Sequence, residues 1–165
     1  MHLLAQEEYG LRCLLQVARA TGGEPLTIPQ IAEAEGLSHE YAAKLMRALR
    51  QGGLVTSTRG AGGGYRLARP PEEISAWEAL KVLGGSFFPE SFCESHPGQL
   101  RDCIHSTDCS VRALWRTVES TVQNLLQNIR LADLTRRERA MVEWLGTPNP
   151  TSAPTPTPTP KAAPQ

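Results

Sequence analysis

The chain has 165 residues, 40% of them hydrophobic, and its 17 basic side chains balance 17 acidic ones. That length holds one domain with a core plus accessory elements and excludes two large domains. No run approaches the roughly 18 to 20 consecutive apolar residues of a helical membrane span, and residues 1–8 lack a basic region followed by an apolar core, so a cytoplasmic protein is expected.

Residues 5 to 20 carry Leu11, Leu14, Leu15 and Ala18 at helical spacing, and Gly22-Gly23 ends the pattern, which predicts a first helix. Cys13 falls inside that repeat and is expected to be a small buried hydrophobe. Thr27-Ile28-Pro29-Gln30 combines a capping hydroxyl, a first-turn proline and a Gln placed to reach back. A second helix therefore starts there, runs through Ile31 and Ala32, and stops at Gly36. After Leu37-Ser38, the apolar set Tyr41, Leu45, Ala48 and Leu49 describes a third helix that ends at Gly52-Gly53.

Two short helices joined by a glycine-containing turn are the pattern of a helix-turn-helix, in which the second helix enters the major groove. Leu54 to Thr58 then reads as a strand, residues 59 to 64 as a turn, and Tyr65 to Ala68 as a return strand, so a hairpin wing follows the recognition helix. Ser75-Ala76-Trp77-Glu78 has the form of a capping box opening a helix through Ala79, Leu80, Val82 and Leu83. Residues 84 to 107 lose periodicity and predict a long loop, which inside a small domain is usually functional. Val111, Leu114, Trp115, Val118, Val122, Leu125, Leu126 and Ile129 then form one long stripe, read as a dimerisation seam. Thr135 to Glu138 is expected to cap a last short helix through Met141, Trp144 and Leu145.

The predicted architecture is thus mainly α: a winged helix-turn-helix with a small β-hairpin, plus a long C-terminal dimerisation helix. Its divisions are a DNA-binding domain at 1–84, a cysteine-bearing loop at 85–110, the dimerisation and terminal helices at 111–145, and a tail at 146–165. From Thr147 the sequence holds seven prolines and no large apolar residue, which predicts a disordered tail of polyproline II character.

The neutral total hides a local asymmetry. Between Ser38 and Arg69 lie Lys44, Arg47, Arg50, Arg59, Arg66 and Arg69 against the single acid Glu40, the footprint that phosphate binding requires. On the third helix, Ser38, His39, Glu40, Ala43, Lys44 and Arg47 are expected to meet DNA. Glu40 suits cytosine N4, Lys44 suits guanine, and Arg47 suits a base or a phosphate. In the wing, Gly62 and its neighbouring glycines permit a tight turn and close approach to the backbone, with Arg59 at the base of the tip directed to a minor groove or a phosphate. This glycine run is no phosphate-binding loop of a nucleotide enzyme, since no Gly-Lys-Ser/Thr follows it. Nor does any oxyanion motif or ordered Cys-His pair point to an enzyme.

Cys93, Cys103 and Cys109 gather in the aperiodic segment and at its exit. Soft thiolates there suit an iron–sulfur cluster or zinc, with His96, His105, Asp102 and Asp108 close by as further donors. A thiol switch or inert cysteines are the alternatives.

Taken together, residues 36–41, Gly52-Gly53-Leu54-Val55, the Arg59 to Leu67 wing and the cysteine trio resemble the Rrf-type (IscR/NsrR/RirA-like) iron–sulfur winged-helix regulators over about residues 1 to 140. The resemblance implies a homodimeric transcription regulator, most often a repressor, sensing iron or cluster supply, nitric oxide or redox state. It implies that the long helix forms the interface, that Cys93, Cys103 and Cys109 are ligands, and that Glu8 of the partner subunit completes the site, favouring a 4Fe-4S cluster over 2Fe-2S. Two departures stand out: the first two cysteines are more widely spaced than in IscR, and the histidine three residues after the third cysteine is replaced by Arg112. A zinc-stabilised or thiol-switched DNA-binding protein without a cluster is the alternative.

Overall fold

The computed structural model describes residues 4–20, 24–60, 62–86, 88–89, 91–99 and 101–146. Gly22-Gly23, Ala61 and the proline-rich tail from Thr147, read above as a helix stop, part of the wing turn and a disordered segment, lie outside them. The chain divides into two units, Met1–Thr135 and Arg136–Gln165.

In the first unit, α1 (Ala5–Arg19), α2 (Ile28–Glu35) and α3 (His39–Gln51) pack around a core that includes Cys13, Leu14, Val17, Ile31, Leu45, Met46 and Leu49. Their ends follow the local chemistry of the sequence. Thr27 accepts from the Gln30 N–H while the Gln30 side chain accepts from the Thr27 N–H at 2.9 Å, which completes a capping box. Gly36 closes α2 in the left-handed region at φ 65°, where a side chain would be strained. Ser38 caps α3 by accepting from the Tyr41 N–H at 3.2 Å.

The buried face of α3 is Ala42, Leu45, Met46 and Leu49, so Leu45 and Leu49 are buried as expected, while Ala42 and Met46 stand in the core where Tyr41 and Ala48 were expected. Tyr41 is half-buried because its ring meets Tyr9 of α1 edge-on, centroids 6.1 Å apart, instead of entering the core.

The wing is β1 (Val55–Thr58) against β2 (Gly64–Leu67), antiparallel with Val55 opposite Leu67 and Thr58 opposite Gly64. Leu26, just before α2, adds a rung by exchanging both backbone hydrogen bonds with Tyr65, at 3.0 and 2.8 Å. The hairpin is thereby tied to the entrance of the helix-turn-helix.

α4 (Ala76–Leu83) opens with the Ser75–Glu78 box, and Glu78 also receives the Arg69 guanidinium at 2.9 Å. Acceptance of the Ser75 N–H, then the Arg69 contact, holds the Glu78 carboxyl below its usual range against a smaller opposing effect of burial. α1 and α4 approach closely: a Cβ at Gly10 would overlap Leu83, and one at Gly84 would overlap the buried Glu7 carboxylate. Glu7 is buried because it caps its own helix, accepting from the Leu4 N–H at 2.7 Å.

The aperiodic segment is not wholly irregular, since α5 (Phe92–Ser95) forms one turn within it. α6 (Ser110–Gln127) follows and ends before Ile129. Ile129, read above as the last of the helical stripe, is buried in the first unit because the chain turns back at Asn128. The Ala76 N–H donates to the Ile129 carbonyl and the Leu131 N–H to the Ile74 carbonyl, each at 2.8 Å. A 3-10 turn at Asp133–Thr135 ends the unit, and the Thr135 hydroxyl donates to the Ala132 carbonyl at 2.7 Å, so it does not cap the last helix as expected. In the second unit, α7 (Glu138–Gly146) carries Trp144 under the Arg136 guanidinium, 5.4 Å from its ring centre.

Among the described residues no helix is long and apolar enough to cross a membrane.

Cys13 is fully buried, as its place in the α1 repeat predicts, and burial pushes its thiol from about 9.0 up to about 11. A raised native pKa means that deprotonation opposes folding. The stability linked to this thiol is therefore complete below about pH 9 and is lost as pH rises through about 11. We expect the urea midpoint of the wild type to fall across that window relative to Cys13→Ala, and alkylation of the native chain to spare Cys13.

Candidate nucleic-acid interface and cysteine segment

The residues expected to read DNA share one exposed region. His39, Glu40, Lys44 and Arg47 are exposed on α3, with Ala43 half-buried between them. Ser38 is exposed at the helix start, where its hydroxyl oxygen is already engaged as the cap. Hydrogen bonding to its own backbone N–H, then to the Ser38 side chain, holds the Glu40 carboxyl below its usual range, which keeps it an acceptor at neutral pH.

Arg59 is exposed where β1 leaves for the wing turn. The turn is closed by the Gly63 N–H donating to the Gly60 carbonyl at 2.9 Å. Gly60 lies at φ 109° and Gly62 faces open space, so the tip presents backbone without side-chain bulk. Arg50, at the end of α3, donates to the Ser57 hydroxyl on β1 at 3.2 Å, which links the helix to the wing. Lys44 and Arg47 on α3 and Arg59 in the wing are thus exposed cations on two elements joined by the Arg50–Ser57 hydrogen bond, and phosphate binding draws on such exposed positive charge.

The cysteine segment has a different character. Cys93 on α5 and Cys103 line one cleft of about 340 Å³, together with Glu94, Arg101, Asp102, Arg112 and Arg116. Cys109 stands at the start of α6, where its sulfur accepts from the Arg112 N–H at 3.3 Å and so serves as the helix cap. All four thiols are free; these three are half-buried, whereas Cys13 is buried.

Glu8 is exposed on α1. Among the described residues, no three His, Cys, Asp or Glu side chains converge within the chain as a ready metal site. The chemistry of the donor set fits an iron–sulfur cluster or zinc, since three thiols from one segment supply soft ligands. Of the other donors considered, His96 is turned onto α5, stacked on Phe92 at 4.2 Å with its Nδ1 on the Phe92 carbonyl. Asp102 lines the cleft, and His105 and Asp108 are exposed.

α6 leaves Val111, Leu114, Trp115, Val118 and Leu125 exposed along its length in the single chain. Two features of this region carry no sequence pattern. The Arg12 pairing with Glu35 joins two helices across 23 positions, and the Ser75 bridge to Arg130 returns the chain to the core after α6.

Comparison with known proteins agrees with the fold. The Rrf2 family model, described as an iron-dependent transcriptional regulator, matches residues 3–137. Protein rrf2 of Nitratidesulfovibrio vulgaris is 35% identical over 136 residues, covering 82% of this chain and 88% of that protein. Among solved structures, IscR of T. potens is 30% identical with a TM-score of 0.64, covering 92% of this chain and 95% of its own. The oxidized form of CymR from Staphylococcus aureus is 31% identical with a TM-score of 0.63, covering 83% and 98%. With a winged helix-turn-helix behind the match, the chain belongs to the Rrf2 family of DNA-binding transcription regulators and is not an enzyme.

Proposed function

We propose that the chain works in the cytoplasm as a homodimeric repressor whose DNA binding is set by an iron–sulfur cluster on Cys93, Cys103 and Cys109, with Glu8 of the partner subunit as fourth ligand. The observation that carries this reading is the partition of the thiols: Cys13 is sealed in the core, while the other three are accessible in one segment between α4 and α6. The exposed apolar side chains of α6 supply the surface for the second copy. Glu8 suits the fourth position better than Glu7, whose carboxylate is buried and occupied as a cap.

When bound, such a cluster supplies a labile, redox-active centre, with 4Fe-4S the favoured form and 2Fe-2S the alternative. The chain's own contribution is mechanical. Cys109 is both a ligand and the cap of α6, so ligation there and the order of the first turn of the dimer helix are linked. A ligand from the partner would bias the dimer geometry that the two recognition helices share, which is the differential affinity that regulation needs.

Anaerobic purification followed by visible absorption and metal analysis tests the proposal. A brown protein containing iron and sulfide, bleached by air or nitric oxide, is expected, and Cys103→Ser should lose the colour while keeping its helical circular dichroism. A colourless protein with stoichiometric zinc overturns it.

A second reading, a thiol switch, draws on the shared cleft of Cys93 and Cys103 and on the likeness to an oxidized CymR. A metal-free chain whose DNA affinity falls with oxidant and returns with reductant would establish that reading instead.

A further inference from the structure

Glu35 is the last residue of α2, and its side chain is 6% exposed despite its charge. Each carboxylate oxygen has a donor from α1: Arg12 Nε reaches Oε2 at 2.6 Å and Gln16 Nε2 reaches Oε1 at 2.5 Å. Arg12 Nη2 also donates to the Glu35 backbone carbonyl at 3.4 Å, near the exit of α2. The hydrogen bond to Glu35 and its negative charge, in that order, raise the Arg12 pKa further, with Glu8 one turn earlier adding a smaller effect of the same sign. The Arg12 guanidinium also lies 5.4 Å from the centre of the Tyr9 ring, and Tyr9 meets Tyr41 on α3.

The ion pair itself is weak evidence for stability, because Arg12 is 43% exposed and such pairs are screened by water and salt. Its position is what matters. The next residue is Gly36, whose left-handed turn leads through Leu37 to Ser38 and the first turn of the recognition helix. A fork from α1 that holds both the side chain and the carbonyl of Glu35 fixes the place from which α3 departs. The Tyr9–Tyr41 contact ties α1 to the first turn of the same helix.

We propose that Arg12, Gln16 and Glu35 form a clamp that positions the recognition helix for sequence reading while touching no DNA themselves. The inference does not involve the cysteines and holds whether or not a cluster binds.

The test uses the full-length chain and, as probe, a duplex that this chain selects from a randomised library, with a scrambled duplex as the nonspecific reference. Glu35→Gln is the informative variant, because it removes the charge that the Arg12 guanidinium pairs with, while the Gln16 amide can turn its own oxygen to the new side-chain N–H. Arg12→Lys keeps the charge but loses the fork. Each is expected to lower affinity for the selected duplex by about tenfold, leaving scrambled-duplex affinity, salt slope and melting temperature unchanged.

Equal losses on both duplexes would make these ordinary phosphate contacts and overturn the proposal. Undiminished selectivity in both single variants would overturn it too.

Discussion

Gly63→Ala is expected to cost at least tenfold in affinity for a selected duplex while leaving the helical core intact. A Cβ at Gly63 would overlap the Thr58 carbonyl and lie 2.9 Å from the Gly60 carbonyl and 3.0 Å from the Arg59 carbon. These neighbours are all backbone, so no side chain can swing aside and the turn itself must open. Opening it moves Arg59, and loss of one well-placed arginine contact costs about 1 to 3 kcal/mol of discrimination where it reads a base.

Gly62→Ala is the matched comparison, because a Cβ there meets nothing within 4 Å. It should leave the wing of the free protein unchanged in amide exchange, whereas Gly63→Ala should loosen it. Arg59→Ala measures the side chain alone. If it binds the selected duplex as the wild type does at matched salt, the wing tip is not a DNA contact.

The second large effect is on stability. Leu131→Ala should destabilise the chain by about 2 to 5 kcal/mol, the range for emptying a buried leucine site, and lower the melting temperature by about 5 to 15 °C. Leu131 is fully buried and its N–H donates to the Ile74 carbonyl, so the cavity forms where the chain closes back on the helix-turn-helix core. The matching change Leu114→Ala, on the exposed face of α6, removes no intrachain packing of that kind. In a monomer it should shift melting by a small amount, and in a dimer built on α6 its effect should grow with dilution. A concentration-independent melting temperature in both variants would count against the dimer.

The elements were legible where local chemistry decides them. Thr27 with Gln30, Ser38, and Ser75 with Glu78 each satisfy helix donors that have no partner within the helix, so the signal lies within four residues and the structure reproduces it. The exposure of Lys44 and Arg47 was legible for the same reason, since helical phase alone puts them opposite Leu45 and Leu49. Phase is coarse, however. Leu45 and Leu49 lie in the core as expected, but Ala42 and Met46 complete the buried face of α3, while Tyr41 meets Tyr9.

Two readings failed, one for want of a distant partner and one through a local hydrogen bond. Ile129 continues the α6 periodicity yet belongs to the core, because the strand-like exchange with residues 74 to 76 overrides the helical repeat. Thr135 has the composition of a cap but spends its hydroxyl on the Ala132 carbonyl. The cysteines lie between these cases. Their number and segment are plain in the sequence, and so is the odd position of Cys13, but the chain alone gathers no three donors into a site among its described residues.

The sequence by itself determined the helix caps, the hairpin, the exposed charged face of α3 and the separation of one core thiol from three others, because each depends on periodicity or on partners a few residues away. Only the tertiary structure decided that Leu26 ties the wing to the helix-turn-helix, that residues 129 to 131 close the core after α6, and that Glu35 is held by Arg12 and Gln16. Those contacts join residues far apart in the chain, and no local preference records them, since each exists only once packing has brought the two segments together.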